Sequence, residues 1–447
     1  MTAGLRLFTI ETRRNAGLWL FPVLVGLAWY AGHERYPDGV TLWIDVSFGI
    51  GMGMVLAALA AGGLAAFMAG RNRRRGMSEL LATTPQSPAV REVSLWASTA
   101  IWGILAYLSV GAYFLVDGVR HATWGGPDPL PILVGLTAMV AFSAIGYAAG
   151  ALVPSRFVVP VVPVALYLAQ VVALLGWDRP SMFLVPWGFL ESGHSVFTEI
   201  HASWALWLIP WLVGLAVVAL AATVLRQKRT PRVITALTVG MTLAIVSGAM
   251  LLRMEQREGD PVPYDSVCAE TPIPVCVHPA YRAVLDETAA IAGPVLAPLA
   301  GIDGAPQRAG QIAFGTDQPD VLTIAPWSSR YDTEGVVAYG VAADVIAPNR
   351  YPNPNFTSAG FGLTEVQGAL ILWLLRQADP AWATETLESR LPLLPNDVPF
   401  EEWDTHVPRL VAASERFAAL DPAERHAWLD AHFADVRAGR LTLDDLP

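Results

Sequence analysis

Seven stretches of apolar sequence, each near the length needed to cross a bilayer, constrain this chain more than any other feature. A hydrocarbon core about 30 Å thick takes roughly 20 residues of helix. In lipid every backbone N–H and C=O must be satisfied within the segment, which leaves the helix as the conformation for such runs. The stretches are 16–32, 42–70, 93–116, 131–154, 157–176, 203–225 and 233–252. With 53% hydrophobic and 15% charged residues, the chain is too apolar for an ordinary soluble domain. We therefore expect an α-helical polytopic membrane protein. The fifth stretch is interrupted early by Pro160 and Pro163, and only Ser155-Arg156 separates it from the fourth; proline near a helix end is tolerated in a membrane.

Basic residues set the orientation, because short cytoplasmic loops carry an excess of Lys and Arg. With the N-terminus inside, the inner segments hold Arg6, Arg13, Arg14, Arg71, Arg73, Arg74, Arg75, Arg91, Arg156, Arg226, Lys228, Arg229 and Arg232, against Arg35, Arg120 and Arg179 in the outer short loops. Seven spans then place the C-terminus outside. The first 15 residues lack a small-residue cleavage site before the first span and do not read as a removable signal. Leu5, Leu7, Phe8 and Ile10 interleaved with Arg6, then Arg13 and Arg14, predict a short helix lying in the inner interface, a disordered basic start being the alternative.

Residues 253–447 are different material, with 28 acidic residues against 13 arginines. That length suffices for a compact domain with its own core. We expect an α-rich α+β extracytoplasmic domain, with helices at 278–300 and 364–377, several more from 381 onward, and short strands at 311–314 and 321–324. The only cysteines, Cys268 and Cys276, lie at its entrance with Thr271-Pro272-Ile273-Pro274 between them. In an oxidising compartment this spacing reads as a local disulfide, two free buried thiols being the alternative.

Catalytic chemistry is mostly excluded. The chain has one lysine, Lys228, which follows Gln227, so no GxxxxGK[ST] phosphate loop exists. His426 and His432 have the wrong spacing for one metal on one helix face, and we expect no metal site. Ser358-Ala359-Gly360 is half of a nucleophile elbow, but Phe356 stands where the first glycine belongs. Glu334 and Glu365 read as helix N-terminal charges. Asp45 and Asp117 lie near outer ends of spans, and no chain of charges crosses the midplane, which disfavours ion-coupled transport. No cofactor on this chain and no nucleic-acid partner are expected.

Two connections carry more information. Residues 71–92, RNRRRGMSELLATTPQSPAVRE, form a basic inner loop in which Ser78-Glu79-Leu80-Leu81 before Pro85 reads as a short capped helix. Residues 177–201, on the outer side, are too apolar for a solvated loop. Phe183, Pro186, Trp187, Phe189 and Leu190 stand beside Glu191, His194 and Glu199. A pair of short re-entrant or interfacial helices fits this mixture, as does a loop tucked beneath the acidic domain.

The basic N-terminus, the ELLATTPQS loop and the apolar outer insertion together resemble the membrane subunit of type-2 ATP-binding-cassette (ABC) exporters, over about Met1–Gln227. In that family the loop after the second span holds the coupling helix, which sits in a groove of a separate ATPase. The resemblance implies that role for Glu79, Leu80, Leu81, Pro85 and Ser87, with Arg73, Arg74 and Arg75 as the preceding basic face. It also implies a second permease subunit, identical or related, and ATP with Mg bound on the partner ATPase. The chain departs from the six-span pattern in its seventh segment, 233–252, and in residues 253–447. The run Val275-Cys276-Val277-His278-Pro279-Ala280-Tyr281 resembles a segment of large actinobacterial permeases, and arginine used in place of lysine fits a GC-rich genome. The expected function is that of an exporter permease at the cytoplasmic membrane; the alternative is a membrane-tethered extracytoplasmic sensor or interaction protein.

Overall fold

The computed structural model describes residues 3–34, 40–71, 87–175, 180–191, 196–199, 202–254, 260–311, 321–323, 333–348, 363–394, 398 and 402–447. The chain divides into two compact units, the first Met1–Pro37 with Thr41–Val262 and the second Pro263–Pro447 with Asp38–Val40.

Each apolar stretch of the first unit is helical. Helix α1 (Ala3–Arg13) is followed by α2 (Gly17–His33), and the two are bent by 71°. Asn15 fixes the corner: it is buried, its Oδ1 accepts from the Gly17 N–H at 2.9 Å, and its Nδ2 donates to Thr99 Oγ1 at 2.9 Å. Helices α3 (Trp43–Met52) and α4 (Met54–Ala69) run on as one apolar helix of 27 residues. Helices α5 (Pro88–His121) and α6 (Pro129–Leu152) both begin with proline behind a capping side chain, Ser87 and Asp128; proline at the first position costs nothing because that N–H has no intrahelical partner. Next come α7 (Val158–Leu174), a 3-10 turn (Pro180–Leu184) and the short α8 (Pro186–Glu191). Strand β1 (Thr198–Glu199), α9 (Ala202–Leu225), α10 (Pro231–Leu251) and β2 (Asp260–Pro261), which pairs antiparallel with β1, complete the unit.

Among the described residues five helices are long and apolar enough to cross a membrane, and six if the bent α1–α2 pair is one span. These helices fit an α-helical membrane protein. Helix α7 is apolar but has 17 residues, about 25 Å at 1.5 Å per residue.

Close packing in this unit rests on small residues. Helix α6 carries Gly146-Tyr147-Ala148-Ala149-Gly150, and a Cβ built on Gly146 would overlap the Gly62 carbonyl of α4, one on Gly150 that of Ala66. With lipid outside, helices gain contact by letting backbones approach, which only small side chains permit.

The second unit is α-rich around a small mixed sheet. Strands β3 (Val267–Ala269), β4 (Val275–Val277), β5 (Arg308–Gly310) and β6 (Val321–Thr323) lie in that order, β3 antiparallel to β4 and the rest parallel. Its helices are α11 (Leu285–Leu296), α12 (Glu334–Ile346), α13 (Glu365–Ala378), α14 (Pro380–Glu388), α15 (Trp403–Ala419) and α16 (Pro422–Arg437). Helix α13 is buried all round from Val366 to Leu375, as expected of a helix apolar on every face. Trp373 meets Phe417 edge-on at 5.0 Å in the same core.

Two expectations for this unit need correction. The helix expected over 278–300 is a 3-10 stretch (Pro279–Val284), then α11, then a 3-10 turn (Ala297–Leu299), because Pro279 and Pro298 each mark a new start. The first parallel strand is Arg308–Gly310 and ends before Gln311; residues 312–314 of the expected strand lie outside the described residues. Helix α12 starts at Glu334, which the sequence marks as a helix N-terminal charge.

Candidate functional site

Of the residues expected to meet an ATPase, Arg73, Arg74, Arg75, Glu79, Leu80, Leu81 and Pro85 lie outside the described residues. Ser87 is described, and its side chain accepts from the Val90 N–H at 3.4 Å as the N-cap of α5. What the structure adds is the way the two ends of segment 72–86 are held.

The first end is Arg71, which makes an ion pair with Glu11 of α1; both side chains are largely buried. Arg71 and Glu11 line a small cleft with Met68, Leu95, Ser98, Thr99 and Tyr147. The second end leads to Glu92, little more than one turn into α5. Glu92 is 7% exposed, and its two oxygens serve donors from three elements. Oε2 accepts from the Tyr147 hydroxyl of α6 at 2.8 Å. Oε1 accepts from Gln227 Nε2, just beyond α9, at 2.9 Å, and from the neighbouring Arg91 Nε at 3.4 Å. Arg91 closes the ring by donating to Gln227 Oε1. Arg226 donates to the Leu152 carbonyl at the end of α6, 2.5 Å away.

Arg71–Glu11 therefore joins the end of α4 to α1, and a second set of polar contacts joins the start of α5, the end of α6 and the end of α9; both lie at one end of the unit, and Tyr147 of the second set lines the cleft that holds the first. A carboxylate this buried is stable only when its charge is matched and its lone pairs are used, and here Arg91, Tyr147 and Gln227 do both. The arrangement has no nucleophile–base pair, and no group of three His, Cys, Asp or Glu able to hold a metal occurs among the described residues. Its chemistry is mechanical: it fixes helix ends to one another.

At its opposite end the unit holds the apolar insertion. Pro186, Trp187 and Phe189 belong to α8, Glu191 is its last residue, and His194 lies outside the described residues. Phe189 stacks on Phe48 with centroids 5.9 Å apart and meets the Trp204 ring edge-on at 5.3 Å. Phe183 meets Trp204 at 4.6 Å. The indole N–H groups of Trp204 and Trp211 donate to the carbonyls of Phe183 and Leu184 at 3.1 and 2.9 Å. Aromatic packing and backbone capping together seat the insertion on α3 and α9.

In the second unit, Cys268 and Cys276 face each other in the β3–β4 pair with sulfurs at bonding distance, 2.04 Å. Just after β4, buried His278 accepts from the Ala280 N–H through Nδ1 at 3.0 Å and lies 4.6 Å from the Tyr264 ring. Burial pushes the His278 pKa down and that of Tyr264 up. Glu334 and Glu365 occupy the first turns of α12 and α13, where a negative charge favours the helix dipole.

Nothing in the sequence alone assigns a role to Glu92, Tyr147, Gln227, Asn15 or Glu11. The available signal is Tyr147 inside a G-x-x-x-G motif. Taken together, the helices and their packing define an α-helical membrane protein with a second, α-rich unit. No protein-family model, curated protein or solved structure matches the chain.

Proposed function

We propose that this chain is the permease subunit of an ATP-driven ABC exporter, coupled through the loop 71–92 to a separate ATPase that binds ATP and Mg. The supporting observation is that each end of segment 72–86 is held by buried polar contacts at the same end of the unit, Arg71–Glu11 on one side and Glu92–Tyr147–Gln227 on the other, with Glu11, Arg71 and Tyr147 lining one cleft. A loop rooted in this way delivers any push or pull on it to five helices at once. Helices of bilayer length supply the pathway wall, and a second permease subunit, identical or related, supplies the other half. In this reading all seven apolar segments span the cytoplasmic membrane, the N-terminus and the loop 71–92 are inside, and residues 253–447 are outside. ATP binding would draw the ATPases together, move the loops and shift the pathway between two states.

The test is a double variant, Glu79→Arg with Leu80→Asp, which reverses the charge and removes an apolar anchor of the docking surface. Buried anchors carry most of an interface's energy, often ~2 kcal/mol or more each, so ATPase co-purification should fall at least ~tenfold while membrane insertion is unchanged. Undiminished co-purification and ATP turnover would remove the docking assignment.

A further inference from the structure

Resting on that reading, we propose that Glu92 is the positioning residue that carries loop movement into the bundle, by holding the start of α5 to Tyr147 of α6 and Gln227 at the end of α9. Three observations meet here. Glu92 lies close behind the loop's second end and is 7% exposed. Its carboxylate is the shared acceptor for donors from two other elements, 55 and 135 residues away. Tyr147, its partner on α6, also lines the cleft that contains Arg71 and Glu11, so the same phenol stands between the loop's two ends.

The physics favours transmission over mere adhesion. Separating the start of α5 from α6 or α9 would leave a buried carboxylate short of donors, a heavy penalty in a medium of low polarity. The three helix ends therefore move together or exchange one complete set of partners for another, which is how a small displacement becomes a two-state change. The close approach of α4 and α6 at Gly146 and Gly150 brackets Tyr147 on α6 and gives it a firm base.

The experiment uses the full chain with its ATPase in lipid nanodiscs, comparing Glu92→Gln, Glu92→Asp, Tyr147→Phe and the Glu92→Gln/Tyr147→Phe pair. Co-purified ATPase, melting temperature and ATP hydrolysis by the complex are all measured. Glu92→Gln keeps the shape and removes the charge. It should bind the ATPase as the unmodified chain does, yet lose hydrolysis by about tenfold, within the usual range of coupling between sites. Glu92→Asp should restore part of the loss. Tyr147→Phe should lower hydrolysis in the same direction, and the double variant should be no worse than Glu92→Gln alone, because both act through one hydrogen bond. Normal hydrolysis by the Glu92→Gln complex, or additive losses in the pair, would overturn the inference and leave the exporter reading standing. Failure of the unmodified chain to bind the ATPase would instead overturn that reading and the inference with it. Should Glu92→Gln fail to insert, Tyr147→Phe decides alone: reduced hydrolysis with intact binding supports the inference, and normal hydrolysis overturns it.

Discussion

Replacing Gly146 with leucine should abolish stable folding of the membrane unit. A Cβ at Gly146 would already overlap the Gly62 carbonyl oxygen, carbon and Cα, and backbone atoms of a packed helix cannot turn aside as a side chain does. Alanine there should cost toward the upper end of the ~1–3 kcal/mol typical of overpacking. Leucine adds three further carbons in the same place and forces α4 and α6 apart. The parted helices would also draw Tyr147 away from Glu92, so the defect reaches the polar cluster. Thermal unfolding of the detergent-purified protein, followed by size-exclusion profile, should show a large fall for Gly146→Ala and no monodisperse species for Gly146→Leu. An unchanged melting temperature in the leucine variant would mean that the two helices do not approach this closely.

Truncating Trp204 to alanine should produce the second large effect, at the other end of the unit. The indole is 6% exposed, packs edge-on against both Phe183 and Phe189, and caps the Phe183 carbonyl with its N–H. Removal of a buried tryptophan typically costs ~3–5 kcal/mol. Part of that is the carbonyl left without a donor, worth ~1–3 kcal/mol where water cannot reach it. Trp204→Phe keeps one aromatic ring but loses the N–H and the rest of the indole, so its cost should fall between those of the unmodified protein and Trp204→Ala. The 180–191 segment depends on this contact, and a cysteine placed at Ser181 should label much faster in Trp204→Ala than in the otherwise unmodified protein. Equal labelling rates and equal stability would show that the insertion is held by other contacts.

Much of this architecture is legible in the sequence because bilayer-length apolar runs leave the backbone one choice. All seven runs are helices, and their ends follow local chemistry: Ser87-Pro88 and Asp128-Pro129 start α5 and α6 as a capping side chain followed by proline should. The corner between α1 and α2 is less legible, since Asn15 acts through Thr99, 84 positions away. The same limit hides the polar cluster. Beside Arg91, Glu92 reads as an ordinary charge near a helix start, and only the packed structure brings it to Tyr147 and Gln227.

In the second unit the local signals mislead for a different reason. Arg308-Ala309-Gly310 has no β-branched or aromatic residue, yet its pairing on both sides makes it a strand, which shows how far neighbouring strands override intrinsic preference. Helix α12 is announced by Thr333 ahead of Glu334, and Thr333 does accept from the Val336 N–H. Its alanine- and glycine-rich body, Gly335-Val336-Val337-Ala338-Tyr339-Gly340, gives only a weak apolar period to recognise.

The central claim, that the loop 71–92 docks on an ATPase, is tested most directly by placing a photo-activated cross-linking residue at Leu81 and, as a control, at Arg440 in the second unit. The pair should be irradiated in intact cells that express the chain with its candidate ATPase. The account predicts a covalent adduct between position 81 and the ATPase subunit, lost when Glu79→Arg is added, and none from position 440. An adduct from position 440 with none from position 81 would contradict both the docking site and the orientation of the chain in its membrane.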